Sequence, residues 1–282
     1  MMAEFRDLSH ATVLVTGSTD GIGRATAMEL AGMGARTLVH GRDAGRVASA
    51  VQAVRRATGN ESVDGLVADF ASPAEVRRLA DDVSANASRL DVRINNAGVY
   101  VRRRELSKDG YELTFAVNHL APFLLTNLLR PLLEESAPAR VVTVSSIAHY
   151  SAQLDLSNLQ SEHGYDGYGA YALSKLCNVL FTTELADRLA GTGVTANSLH
   201  PGIISTKLLT AGFPGSRGTS VAQGAATPVY LAASPDLAQS TGLYFADREP
   251  RVPNPLAQDR GVRRRLWELS AGLVGLPLSQ RE

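Results

Sequence analysis

The chain has 282 residues, 44% of them hydrophobic, and its 28 basic residues balance 28 acidic ones. A zero formal charge lacks the basic footprint that nucleic-acid binding requires, so nucleic acid is not expected as a partner. One cysteine, Cys177, excludes a disulfide within the chain and suits a reducing compartment.

The length fits one large α/β domain or two small ones, with apolar content sufficient for a sizeable core. The first ten residues, MMAEFRDLSH, are polar and carry no apolar targeting segment. The greasiest stretch, LAPFLLTNLLRPLL, is interrupted by Asn127 and Arg130 and is too short to cross a bilayer. A soluble, cytoplasmic protein without an integral membrane segment is expected. Two arginine runs, 102–104 and 263–265, read as solvated surface.

Along the chain, short apolar runs alternate with longer helical patterns. ATVLVT (11–16) reads as a buried strand, and GIGRATAMELAGMG follows with helical spacing. RTLVHG (36–41) is a second strand, and 43–58 a polar-faced helix. VDGLVADF holds a third strand, and PAEVRRLADDVSANA a third helix with Ser72 as its N-cap. DVRIN is a fourth strand, and a long helical stretch runs from about 109 to 135. RVVTVS (140–145) is a fifth strand, followed by the amphipathic helix GAYALSKLCNVLFTTELADRLA. VTANSLH is a sixth strand and GLYFA (242–246) a seventh. Strands alternating with helices of this length predict a doubly wound parallel sheet of about seven strands with helices on both faces. No linker is evident before about residue 247, so residues 1–249 read as a single domain. Residues 250–282 read as a polar, proline-containing tail with a short helix from Arg260 to Leu269.

TGSTDGIG (16–23) lies between the first strand and the first helix. Gly17 permits a tight turn, and Gly21 and Gly23 let backbone and helix approach a ligand. The helix N-terminus offers free N–H groups to a phosphate. In a βαβ unit this pattern points to a dinucleotide, with Gly17, Ser18, Thr19, Asp20, Gly21, Ile22 and Gly23 as the cradle. An NAD site places an acid at the end of the second strand. Here VHGRD puts Gly41 there and Arg42 after it, and Arg42 suits a 2′-phosphate. NADP(H) is therefore favoured, with NAD(H) as the alternative. Asp20, a carboxylate in a phosphate loop, is assigned as an N-cap.

In YALSK (171–175), Tyr171 and Lys175 sit four residues apart on one helix face. The chain has only three lysines, Lys108, Lys175 and Lys207, and otherwise writes positive charge as arginine. The order TGSTDGIG, NNAG (95–98), VSS (144–146), YALSK and HPG (200–202) resembles the short-chain dehydrogenase/reductase family over about residues 10–250. VSSIAHY, LQSE and YALSKLCNVLFTTELADRLAGTGVT further resemble its retinol-dehydrogenase-like branch. That branch often carries a membrane-anchoring N-terminal segment, which is not seen here, so membrane retinoid chemistry is not carried over.

The resemblance implies an oxidoreductase in which Tyr171 is the general acid of carbonyl reduction and the base of alcohol oxidation. It implies that Lys175 lowers the phenol's pKa, ordinarily near 10, and holds the nicotinamide ribose. Ser146 would hydrogen-bond the substrate oxygen, and Asn118 would hold a water for proton relay. Asn95 would brace the central strands, with Ala97 and Gly98 close to the cofactor. Asp69 and Phe70 would lie beside the adenine, and Pro201, Gly202, Ile203 and Thr206 near the nicotinamide. Homodimers or homotetramers would pack through the two long helices. Residues 203–222 read as a mobile flap carrying Leu208, Leu209 and Phe213 over a small, moderately apolar carbonyl or alcohol substrate.

Arg93 departs from the pattern, because a buried parallel strand should carry an apolar residue there; it is expected to reach an acid or the strand end. The six histidines show no metal-ligand spacing, no metal is implied, and His200 is taken as structural. Two other functions stay open on the same fold: a non-catalytic nucleotide sensor or scaffold, and a lyase or epimerase with tightly bound NAD.

Overall fold

The computed structural model describes residues 7–277. The first six residues of the polar N-terminal stretch, and the last five of the tail, lie outside the described residues. Val13, Leu14 and Val15 have no exposed surface, as their unbroken apolar run requires of a strand covered on both faces. They form β1 (Thr12–Val15), at the centre of the sheet with β2 (Arg36–Gly41), β3 (Val63–Val67), β4 (Val92–Asn95), β5 (Ala139–Val144) and β6 (Val194–His200). β7 (Tyr244–Ala246) and β8 (Glu249–Arg251) complete an eight-stranded sheet in the order β3-β2-β1-β4-β5-β6-β7-β8. All neighbours are parallel except β7 and β8. The doubly wound expectation therefore holds, with one strand more than predicted. β8 escaped notice because its three residues are exposed and one is Pro250, an edge-strand residue without apolar alternation.

α1 (Gly21–Gly32), α2 (Ala44–Thr58) and α8 (Val221–Ala233) cover one face of the sheet. α3 (Pro73–Asn86), α5 (Ala121–Glu135) and α6 (Gly167–Arg188) cover the other. Ser72 caps α3, as predicted. α8 has no counterpart in the sequence reading. Its run of small residues, with Gly224 and Pro228 inside, shows weak periodicity. Its approach to α1 depends on that smallness: a Cβ on Gly224 would lie 2.8 Å from Ile204 and 3.0 Å from Ile22.

The helix expected from about 109 starts later. Gly110 has φ +84°, and the Glu112 carboxylate caps α4 (Leu113–Phe115) by accepting from the N–H groups of Thr114 and Phe115. A π-helical turn, Ala116–Leu120, then joins α4 to α5. Pro122 explains the widening, because it has no N–H for the carbonyl of Asn118 four residues back.

The tail helix α9 (Arg260–Leu273) runs further than predicted and packs on α6 and α5, the helices through which the resemblance implies pairing. Trp267 stacks on Phe181 at 5.8 Å between centroids and meets Phe123 edge-on at 4.9 Å. Arg263 belongs to this interface and not to a solvated run. It is 5% exposed, 2.7 Å from Asp187 and 3.6 Å from Glu184, because the amphipathic face of α9 turns it inward while Arg264 and Arg265 stay exposed.

Arg93 reaches neither an acid nor the strand end. It is wholly buried beneath α5 and donates once, to the Thr126 hydroxyl at 2.9 Å, with Nε and Nη2 unpaired. Burial lowers its pKa to about 9.

Candidate active site

β1 pairs with β2 on one side and β4 on the other, so the chain reverses direction across the sheet between them. Ligands of open α/β sheets bind in the crevice that this reversal opens beyond the strands' carboxyl ends. The glycine loop follows β1, and NNAG follows β4, at that point. The loop's glycines are forced by contact. Gly17 has φ +63°, and a Cβ there would lie 2.7 Å from the Ala97 Cα. A Cβ on Gly23 would lie 2.3 Å from Asn96 Nδ2 and 2.5 Å from the Gly17 carbonyl.

Two residues not singled out from sequence hold this loop. Asn96 Nδ2 donates to the carbonyls of Thr16 and Gly17 at 2.8 and 3.1 Å. His40 Nδ1 accepts from Gly17 N–H at 3.2 Å, so its proton sits on Nε2, 3.1 Å from the Ala68 carbonyl. Burial lowers the His40 pKa to about 4 and keeps the ring neutral. The only sequence signal was position, a histidine one residue before the end of β2 and a second asparagine beside Asn95. Asn95 Nδ2 donates to the hydroxyls of Thr143 on β5 and Thr126 on α5. Ser18 ties the loop down through its hydroxyl to the Val15 carbonyl at 2.6 Å.

Asp20 caps α1, accepting from Gly21 N–H at 2.8 Å. Its carboxylate also meets Lys207 at 2.7 Å and Arg46 at 3.5 Å, and its pKa is lowered, chiefly by the Lys207 hydrogen bond. An open depression beside the loop is lined by Thr19, Asp20, Arg24, Arg46 and Lys207 among others. Arg42 is exposed and is not among these lining residues. A Cβ on Gly41 would lie 2.5 Å from the Thr19 methyl, so an acidic side chain there would have to displace Thr19. Phe70 does not present its ring to the crevice. It is 5% exposed and stacks on His40 at 4.4 Å, whereas Asp69 is half-buried and accepts from Ala71 N–H.

The catalytic candidates converge at the same edge. Ser145 and Ser146 follow β5 directly, and the Ser145 hydroxyl donates to the Lys175 carbonyl at 2.7 Å, tying the strand's end to α6. Tyr171 and Lys175 are both nearly buried, with Nζ 5.6 Å from the phenol ring centroid. Nζ donates to the Val144 carbonyl at 3.2 Å. A Cβ on Gly98 would come within 3.4 Å of both Nζ and Asn118 Oδ1. Asn118 sits in the π turn with its amide fully engaged. Oδ1 accepts from Val99 N–H, and Nδ2 donates to the Val99 carbonyl and the Ser174 hydroxyl. Its side chain therefore locks the NNAG loop.

The electrostatics amend one expectation. Burial raises the Tyr171 pKa to about 12, opposed by a hydrogen bond with Ser146. Burial lowers Lys175 to about 8. The lysine does not make the phenol acidic here, because both groups have lost water and Nζ is directed to Val144 instead of the phenol oxygen.

The flap closes over this cluster. Thr219 and Ile203 join its base, and Thr206 caps α7 (Lys207–Gly212), with its methyl 3.5 Å from where a Gly21 Cβ would stand. Gly202 takes φ +94° after Pro201, and the Ile203 side chain is largely exposed. Phe213 lies 5.6 Å from Tyr100, 5.9 Å from Tyr168 and 6.4 Å from Tyr171. Leu208 packs against the cluster of Ala148, Tyr171 and Ala172. His200 is half-buried, with its pKa lowered to about 4 by burial and Nδ1 unpaired. Among the described residues, no helix is long and apolar enough to cross a membrane.

A glycine cradle at the sheet's reversal, beside a Ser–Tyr–Lys cluster, defines a dinucleotide-dependent oxidoreductase fold. Comparison with known proteins makes the assignment narrower. The sequence profile of the short chain dehydrogenase family matches residues 11–215. The chain is 41% identical to retinol dehydrogenase 14 of Mus musculus, covering 94% of this chain and 86% of that protein. It is 41% identical to retinol dehydrogenase 13 of Homo sapiens, covering 94% and 85%. An uncharacterised protein from Mycobacterium paratuberculosis superposes with a TM-score of 0.82 at 33% identity, covering 98% of each chain. A short-chain dehydrogenase from Shigella flexneri, solved with NADP, gives 0.72 at 26% identity, covering 86% of this chain and 99% of that one. The chain belongs to the short-chain dehydrogenase family, in its retinol-dehydrogenase-like branch, and is an NAD(P)-dependent oxidoreductase.

Proposed function

We propose that this protein is an NADP(H)-preferring oxidoreductase acting on a small apolar ketone, aldehyde or alcohol, with Tyr171 as its general acid/base. The observation that carries this reading is the meeting of Ser146, Tyr171 and Lys175 beside Gly98, next to the glycine cradle. Bound nicotinamide supplies or accepts the hydride. Gly17 to Gly23 would hold its phosphates, and Lys175, whose Nζ has donors left beyond its bond to Val144, would hold the ribose hydroxyls. Arg46 joins Arg42 as a partner for the 2′-phosphate, and the glycine at position 41, close against Thr19, supports NADP(H) because no acid stands there.

Ser146 Oγ accepts from Ala148 N–H, and its hydroxyl, hydrogen-bonded to Tyr171, would turn to donate to a substrate oxygen. Tyr171, with a pKa about 12, keeps its proton at neutral pH and delivers it to that oxygen as the carbonyl is reduced. Lys175, with a pKa about 8, is still mostly charged there. In alcohol oxidation Tyr171 takes the proton back. Leu208 and Phe213 exclude water and select apolar substrates. Such a protein would act in the cytoplasm on a freely diffusing substrate.

A panel of carbonyls and alcohols with NADPH, NADH and their oxidised forms tests the reading. Turnover with NADP(H) at higher kcat/KM than with NAD(H) is expected. No turnover of any member with either cofactor would overturn it.

A further inference from the structure

The carbonyl of Ser146 accepts two hydrogen bonds from one residue. His149 gives it its backbone N–H at 3.2 Å and its ring Nδ1 at 2.7 Å. A carbonyl only accepts, so Nδ1 carries the proton. The other ring nitrogen, Nε2, faces the backbone N–H of Asn254 at 3.1 Å and must accept. Only the neutral Nδ1–H tautomer satisfies both partners, in a ring with no exposed surface. Burial holds its pKa below the ordinary histidine value, in agreement.

Asn254 lies 105 residues further along the chain and closes the clamp from the tail. Its Nδ2 donates to the His149 carbonyl at 3.2 Å, and its Oδ1 accepts from Leu256 N–H at 3.0 Å. Tyr150 and Tyr244 flank the imidazole at 3.9 and 4.6 Å between centroids. The Tyr150 hydroxyl donates to the Val252 carbonyl at 2.6 Å, a second tie to the same tail segment.

We infer that His149 is a positioning residue for Ser146, and that Asn254 of the tail selects the tautomer that lets it act. This rests on the role proposed for Ser146. The backbone N–H of His149 alone would close the short turn of Ile147–Ser151. The ring adds a second hold on the peptide that follows Ser146, and that peptide fixes where the Ser146 hydroxyl points. The tail thus reaches the oxygen-binding end of the site through one imidazole.

Two variants separate positioning from packing. His149→Phe keeps an aromatic ring between Tyr150 and Tyr244 but neither nitrogen. His149→Asn keeps an amide donor near the place of Nδ1. For His149→Phe we expect kcat to fall by about 10- to 100-fold, as for a displaced oxyanion donor, with KM for NADPH within about threefold. His149→Asn should recover kcat to within about fivefold of wild type, and in a Ser146→Ala background His149→Phe should cost less than about threefold more. The inference is overturned by unchanged kcat in His149→Phe, by an equal loss in both backgrounds, or by His149→Asn performing no better than His149→Phe. Nitrogen-15 NMR of the wild-type imidazoles decides without any variant having to fold. Neutral Nδ1–H for His149 is expected at neutral pH, and Nε2–H or a charged ring overturns the inference. A wild type silent across the substrate panel would instead remove the proposed reaction and leave the tautomer measurement as the remaining test.

Discussion

Around the glycine loop, backbone packs on backbone; around Tyr171, ring packs on ring. On the cofactor side, Gly17, Gly23 and Gly41 leave no room for a Cβ, and His40 and Asn96 clamp the peptides between β1, β2 and β4. On the substrate side, Tyr100, Tyr168 and Phe213 gather over Tyr171 from three separate segments, and the flap that brings Phe213 has few buried anchors besides Ile204. The first region positions by steric exclusion, which tolerates almost no substitution. The second positions by apolar contact, which can repack for a different substrate.

The sharpest way to break this contrast is Gly23→Ala. Its methyl would meet backbone 2.5 Å away, so NADPH affinity should fall more than about a hundredfold in a fluorescence titration. Retained affinity would mean that the loop is not held as described.

Next comes pH. Burial lowers Lys175 from 10.5 to about 8, so between those values the unfolded chain holds a proton that the folded chain has released. Stability from this group therefore rises with pH across that window, by about 3 kcal/mol in all. Denaturant titrations should show the rise in wild type relative to Lys175→Met.

Phe213→Ala probes the substrate side. KM for an apolar substrate should rise about tenfold, with kcat and KM for NADPH changing less than about threefold. The smallest effect lies outside both regions. Asp247 and Arg248 form the two-residue turn between β7 and β8 with φ of +53° and +64°. Arg248→Gly should relieve that strain and stabilise the fold by about 0.5–1 kcal/mol in thermal unfolding.

The same contrast explains what could be read from the residues. The parallel strands are short apolar runs with glycine punctuation, and the cradle is written as adjacent glycines, so both were legible in one dimension. Asn96 was hidden because its role lies in which peptides it reaches, not in its type. α8 was missed because smallness, not periodicity, lets it pack on α1. The hold of His149 on Ser146 depends on Asn254, and nothing in a linear pattern links residues so far apart. The acidity expected of Tyr171 failed for a physical reason: spacing reported that an ammonium was near, but not that both groups had left water.

The account rests on Tyr171 as the proton donor at the substrate oxygen. Tyr171→Phe removes one oxygen from a buried ring and leaves the glycine cradle untouched. Steady-state turnover and NADPH binding, measured on the same preparation, test it most directly. The account predicts that kcat falls by about a thousandfold or more while the Kd for NADPH stays within about threefold. Turnover close to wild type with NADPH bound as before would contradict it.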